Sequence, residues 1–266
     1  IEYFVNPNET VNGKPADEHW HERWIEDRQA WYQRYGISAD NLRLREHGKE
    51  ELAHYAKRTA DIEYRFPIGW SELEGIANRT DFDLKQHAKF SGKSLTYFDE
   101  ERRTHVVPYV IEPSAGADRS LLAFLVEAYR EEEVRGEKRV VLRFHPDLAP
   151  IKIAVLPLLR KREDIVATAH EIRAELARQW VTVYDDTAAI GRLYRRQDEV
   201  GTPCCVTVDV RSVGDPEKGE AGDRRVTIRD RDSMGQIRVP IGELASVFRE
   251  LFGGGAWARL AERYPA

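Results

Sequence analysis

The run Tyr109-Val110-Ile111-Glu112-Pro113-Ser114-Ala115-Gly116-Ala117-Asp118-Arg119 constrains this chain more than any other. Its β-branched, apolar start reads as a buried strand, and Pro113-Ser114-Ala115-Gly116 reads as a turn. Leu121, Leu122, Phe124, Leu125 and Ala128 then follow at helical spacing. A strand therefore meets the N-terminus of a helix, where unpaired N–H groups and a partial positive charge suit an anion. The junction itself carries three chemical groups. Glu112 suits an ammonium, Ser114 offers a hydroxyl, and Arg119 suits a phosphate or an aromatic face.

A chain of 266 residues has room for two cores. Before the anchor, a helix is expected from Glu18 to Tyr35, capped by Asp17 and ended by Gly36. Trp20, Trp24, Trp31 and Tyr35 form its aromatic face, which reads as packing rather than as a platform for bases. His19 and His21 diverge on that helix and are expected in solvent. A second helical stretch is expected near residues 49–57, followed by strands at 61–66 and 71–76. Strict alternation would put Glu72 and Glu74 on one face of the latter, where they could hold Mg²⁺ or a cationic substrate, or form a solvent-facing acidic edge. Residues 89–103 read as polar loop, and Glu131-Glu132-Glu133 as a solvated helix end.

From residue 151 onward strands alternate with helices, which argues for a mixed or parallel sheet covered by helices. Gly253-Gly254-Gly255 reads as a flexible link to a short tail, in which Trp257, Leu260 and Tyr264 stand at helical spacing, so that it either docks as a small helix or is disordered. The net charge of −5 gives no overall basic signature, so an RNA partner would need a local basic surface. No apolar run approaches membrane-spanning length, and no membrane partner is expected. The adjacent Cys204 and Cys205 form neither an ordinary disulfide nor a metal knuckle, and such thiols fit a reducing, cytoplasmic setting.

The anchor run resembles motif 3 of the class II aminoacyl-tRNA synthetases, in detail that of the glycyl-tRNA synthetases. Gly69-Trp70-Ser71-Glu72-Leu73-Glu74-Gly75-Ile76-Ala77-Asn78-Arg79-Thr80-Asp81-Phe82-Asp83-Leu84 resembles the segment upstream of that motif. Tyr194-Arg195-Arg196-Gln197-Asp198-Glu199-Val200-Gly201-Thr202-Pro203 resembles the family's anticodon-binding domain. The three runs keep the family's order across most of the chain.

This resemblance implies an α/β (α+β) organisation. Residues 1–147 would be part of a class II antiparallel-sheet catalytic domain, 148–252 an α/β anticodon-binding domain with a mixed sheet, and 253–266 a flexible tail. Ile1-Glu2-Tyr3-Phe4-Val5 resembles the end of motif 2, so motif 1 and most of motif 2 are expected upstream, in a longer enzyme that forms a homodimer.

The implied activity is that of a glycine–tRNA ligase: glycine and ATP form an adenylate, and the glycyl group passes to glycine tRNA. Arg119 and Glu112 would be catalytic, Glu112, Ser114 and Glu2 would bind glycine, and Glu72, Glu74 and Arg119 would bind ATP, with Glu72 near its Mg²⁺. Arg195, Arg196, Asp198, Glu199, Arg229 and Arg231 would contact the anticodon, the carboxylates accepting from cytosine amino groups. The alternative is a synthetase-derived paralogue that binds nucleic acid without catalysis.

Overall fold

A computed structural model describes residues 1–266, which divide into two compact units, Ile1–Glu127 and Ala128–Ala266. In the first, a five-stranded antiparallel sheet is built from β1 (Tyr3–Val5), β2 (Leu42–Glu46), β3 (Arg58–Phe66), β4 (Gly69–Thr80) and a strand at Tyr109–Ala115. Helix α1 (Ala16–Arg34) covers one face. Its apolar side explains the placement: Ile25 and Tyr32 are buried, and Tyr3 meets the rings of Trp20 and Trp24 at 5.0 and 5.7 Å. The aromatic stripe is packing, as its spacing implies.

Three local expectations change in this unit. Asp17 lies inside the helix rather than capping it, and its buried carboxylate accepts from Lys57 and Asn78. His21 is fully buried and not solvated: Nε2 lies 2.9 Å from the Ile76 carbonyl, and burial pushes its pKa below the ordinary value. Residues 49–57 form turns, not a helix. The run read as polar loop instead contains the end of α2 (Phe82–Ser91) and a ribbon of β5 (Tyr97–Asp99) with β6 (Thr104–Val106). The anchor behaves as read: β7 (Tyr109–Ala115) enters α3 (Ala117–Ala128).

The second unit begins earlier than expected. Its division falls at Glu127/Ala128 rather than at residue 147, because Tyr129–Val134 (β8) and Glu137–Leu142 (β9) form a hairpin that belongs with it. The glutamate run is thus in a strand, not at a helix end. Arg139 on that hairpin is 5% exposed and donates to Asp198, which ties the hairpin to α5 (Ile190–Val200). Gly201 ends α5 at φ 85°; a Cβ there would stand 2.6 Å from the Phe144 ring, so only glycine fits this close approach.

The central sheet of this unit has the order β11-β10-β12-β13-β14, from Thr182–Tyr184, Ile153–Pro157, Cys204–Val208, Arg225–Asp230 and Gln236–Pro240. The first three run parallel and the last two are antiparallel, so of the mixed and parallel sheets that the alternation allows, the mixed one forms. Helices α4 (Glu163–Leu176), α6 (Val210–Val213) and α7 (Leu244–Phe252) complete it, with Ile165, Ile172, Leu176, Val247 and Phe248 in the core.

The tail is not a loose appendage. Residues Trp257–Arg263 form α8, and Leu260 is 0% exposed within the same core. Leu260→Ala is expected to destabilise this unit by about 2–5 kcal/mol, the usual cost of a Leu-to-Ala cavity. Urea denaturation checks it; an unchanged midpoint would mean that the tail contributes no packing.

Candidate functional site

The sheet of the first unit has one face open, opposite α1, and its side chains follow from register. Gly75 faces Ser114 and Ala77 faces Glu112 across β4 and β7. Directly paired residues share a face, so Ser114 and Glu112 stand together. On β1, Tyr3 faces Ile111, and the Ile1 nitrogen donates to the Pro113 carbonyl at 2.9 Å. Glu2 lies between them and therefore takes the face of Glu112.

A bulge decides the fate of the two upstream carboxylates. Ile62 pairs with Glu74, but the adjoining pair is Glu63 with Glu72, leaving Leu73 as the extra residue. The alternation is broken, so Glu72 and Glu74 point to opposite faces. Glu74 is 1% exposed under α1, where Arg28 Nε donates to its oxygens at 2.7 and 3.0 Å. It is a structural partner and cannot share an ATP site with Glu72. Glu72 is exposed on the open side, where its Oε1 and the Asp61 Oδ1 would lie 3.5 and 3.6 Å from a Cβ placed on Gly75.

Glu112 is held by one oxygen. Arg79 NH1 donates to its Oε2 at 2.6 Å, while Arg79 Nε and NH2 donate to Asp83 at 2.6 and 3.2 Å. The second Glu112 oxygen accepts nothing, which leaves it open to a cation. Asp83, and then Glu112, hold the Arg79 guanidinium firmly charged, and Arg79 keeps the Asp83 carboxyl below the usual carboxylate range. The guanidinium also lies 4.1 Å from the centre of the Tyr55 ring. Ser114 is exposed beside this group. Arg119, in the first turn of α3, donates through NH1 to the Glu72 carbonyl at 2.7 Å and leaves its other nitrogens outward.

In the second unit the expected readers split. Tyr194 to Val200 continues α5 instead of lining a strand edge. Asp198 is 2% exposed and accepts from Arg139 at 2.9 Å and from Arg229 at 2.8 and 3.0 Å. Arg229 and Arg231 are also buried, and Arg231 donates to the carbonyls of Gly201 and Phe144. These three residues form an interior ion-pair and carbonyl network and are out of reach of a base. Arg195, Arg196 and Glu199 stay exposed on α5; Arg195 pairs with Glu137, and Arg196 pairs with Asp185 at 2.7 Å.

Sequence reasoning missed a second basic set. Arg160 and Lys161 follow β10, and Arg192 opens α5; all three are exposed and none has an acidic partner. With Leu158, Leu159 and Thr187 they line a cleft of about 510 Å³ at the carboxyl ends of β10 and β11. There the chain crosses from β11 on one side of β10 to β12 on the other, the reversal point where open α/β sheets bind ligands. The basic run after an apolar strand was the available signal; the reversal needs the strand order.

Residues 152–251 match the family model described as an anticodon binding domain. A protein of Thermobifida fusca named glycine–tRNA ligase is 50% identical over 262 residues, covering 96% of this chain and 53% of its own length. A glycine–tRNA ligase of Geobacillus kaustophilus is 47% identical over 251 residues, covering 94% of this chain and 51% of its own length. The chain thus spans about half the length of the relatives it matches. A crystal structure of prolyl-tRNA synthetase from Cryptosporidium parvum, complexed with L-proline and AMP, superposes with TM-score 0.61 at 16% identity, covering 89% of this chain and 47% of that one.

Proposed function

The chain belongs to the glycyl-tRNA synthetase family and has a class II synthetase fold, and on that premise we propose that its open sheet face serves glycine activation with ATP. The observation that carries this reading is Glu112: one oxygen is fixed by Arg79, and the other faces out beside Ser114. That arrangement suits an α-ammonium, with Glu2 adding negative charge from the same face. Ser114 and the strand floor limit the room at the substrate's Cα, which favours an amino acid without a side chain.

In the proposed reaction a glycine carboxylate oxygen attacks the α-phosphorus of ATP, the bond to pyrophosphate breaks, and glycyl-adenylate forms. A ribose hydroxyl at the tRNA 3′ end then attacks the glycyl carbonyl, and AMP leaves with the electron pair of the broken bond. Arg119 supplies outward donors for the adenine face and phosphates. Mg²⁺ fits the donor set, because Glu72 Oε1 and Asp61 Oδ1 approach one space above Gly75 and Mg²⁺ binds through one or two carboxylates together with phosphate oxygens. Bound there with ATP, it would neutralise phosphate charge. In the second unit, Arg160, Lys161 and Arg192, with the exposed Arg195, Arg196 and Glu199, are proposed to meet the anticodon loop of glycine tRNA.

Glycine-dependent ATP–pyrophosphate exchange tests this. It should be measured on this chain alone and on this chain joined to the N-terminal half of the Thermobifida fusca relative. Exchange is expected in the joined protein, with Arg119→Ala lowering it by at least about 100-fold while tRNA binding is kept. No exchange in the joined protein would favour the non-catalytic paralogue. Equal loss of exchange and tRNA binding in Arg119→Ala would remove the role given to Arg119.

A further inference from the structure

We infer that Tyr55 is a positioning residue for the amino acid: its ring covers one face of the Arg79 guanidinium and thereby fixes Glu112, which would receive the substrate's ammonium. The inference rests on the reading of Glu112 proposed above, and it names a residue that acts without touching the substrate.

Arg79 needs outside support because of where it stands. On β4, Asn78 faces Ile111 and Thr80 faces Val110, so Arg79 is the extra residue of a bulge and has no partner across the strands. Thr80 takes φ 54°, in the left-handed region that a β-branched residue rarely adopts. The strand is bent here, and its pairing alone does not hold the side chain that leaves it. Asp83 accepts from Nε and NH2 at 2.6 and 3.2 Å, and NH1 reaches Glu112 at 2.6 Å. These bonds lie near the guanidinium plane, because its donors form a flat fork. They leave the plane free to swing about the Asp83 pair, a motion that would carry NH1 away from Glu112.

Tyr55 closes that remaining freedom. Its ring centre lies 4.1 Å from the guanidinium carbon, well inside the ~6 Å reach of a cation–π contact. A ring against the face blocks the swing and keeps water off that side, so the bond from NH1 to Glu112 meets less competition. With one Glu112 oxygen held in this way, the other keeps its outward direction.

The ring is itself held by its surroundings. Residues 53–57 run as a strap along the end of β4. The Lys57 amide donates to the Asn78 carbonyl at 2.8 Å, and the Lys57 ammonium pairs with Asp17 and Glu18 of α1 at 2.8 and 2.9 Å. Phe82, which opens α2, has its ring centre 6.2 Å from that of Tyr55 and 5.0 Å from that of His54. Tyr55 is half-buried and touches Phe82 as well as Arg79. Packing against Phe82 alone would be served by any large apolar side chain. The charged face of Arg79 is what asks for an aromatic one.

The test is glycine-dependent exchange in the joined protein, with KM and kcat measured separately for glycine and for ATP. Tyr55→Leu keeps an apolar side chain against Phe82 and removes the π-face. It is expected to raise the glycine KM by about 5- to 30-fold, the range of a cation–π contact, with kcat and the ATP KM nearly unchanged. Tyr55→Phe should keep the parent values, because the ring acts and the hydroxyl does not. Tyr55→Leu with Asp83→Asn should depart from the product of the two single effects by at least about twofold, since both residues hold one guanidinium. Circular dichroism checks the fold of each variant, and Tyr55→Met takes the place of a Tyr55→Leu that does not fold. A Tyr55→Phe as impaired as Tyr55→Leu overturns the inference. Equal losses for glycine and ATP, or single effects that simply multiply, also overturn it and leave Tyr55 a packing residue. Exchange with an unchanged glycine KM in Tyr55→Leu overturns this inference alone; no exchange in the parent joined protein overturns the proposed function and this role with it.

Discussion

Asp198→Ala is expected to unfold the second unit well below the melting temperature of the parent chain. The carboxylate is 2% exposed and holds two guanidinium groups, Arg139 from the hairpin and Arg229 from β13, which are 5% and 7% exposed. Removing it leaves the Arg229 guanidinium without its acidic partner in a low-dielectric interior and leaves Arg139 with Glu132 alone. Breaking a buried pair in this way costs about 3–5 kcal/mol, a large part of the roughly 5–15 kcal/mol that holds a domain together. Thermal denaturation followed by circular dichroism should show the loss. Arg160→Ala with Arg192→Ala should behave in the opposite way: the melting temperature stays, and affinity for the glycine anticodon stem-loop falls. If Asp198→Ala instead melts normally and loses the stem-loop selectively, Asp198 reads a base and the interior network does not explain its place.

Glu112→Gln is expected to lower kcat/KM for glycine by about 100-fold or more in the joined protein, with KM for ATP nearly unchanged. The amide keeps the shape of the side chain and removes the charge that would meet the ammonium. Truncating one partner of a desolvated charge pair costs about 2–5 kcal/mol, which sets that scale. Asp83→Asn should act through position alone. Arg79 would keep Glu112 but lose its second anchor, so the glycine KM should rise several-fold while kcat changes little. A matching fall for glycine and ATP in Glu112→Gln would show a general disturbance of the sheet, and no role in recognising the amine.

The two units differ in how their sites become visible. In the first, local pattern and the proposed site coincide, because the strand, the turn and the helix that carry Glu112, Ser114 and Arg119 are contiguous. In the second, the recognised run proved to be the inward side of α5. Helical period explains the division: Arg195, Arg196 and Glu199 lie outward, while Gln197 and Asp198 lie inward. Reading residues 195–200 as a strand edge hid that period and made a structural carboxylate look like a base reader.

The sequence by itself determined the strand-to-helix anchor, the aromatic packing of α1, the helix-covered α/β character of the second unit, and the family. Each follows from local periodicity, turn residues or contiguous motifs, which tertiary contacts did not override. Only the tertiary structure decided that Glu72 and Glu74 part company, because one inserted residue, Leu73, shifts the register against β3. It also decided that Asp198 belongs to the interior, because its partners are 59 and 31 residues away in the chain. The hairpin joins the second unit through pairing between distant segments, which leaves no local signal, and of the two fates that the helical spacing of Trp257, Leu260 and Tyr264 allows the tail, burial of Leu260 selects the docked helix. A residue's type announces what chemistry it can do, but the face it takes depends on what packs against it.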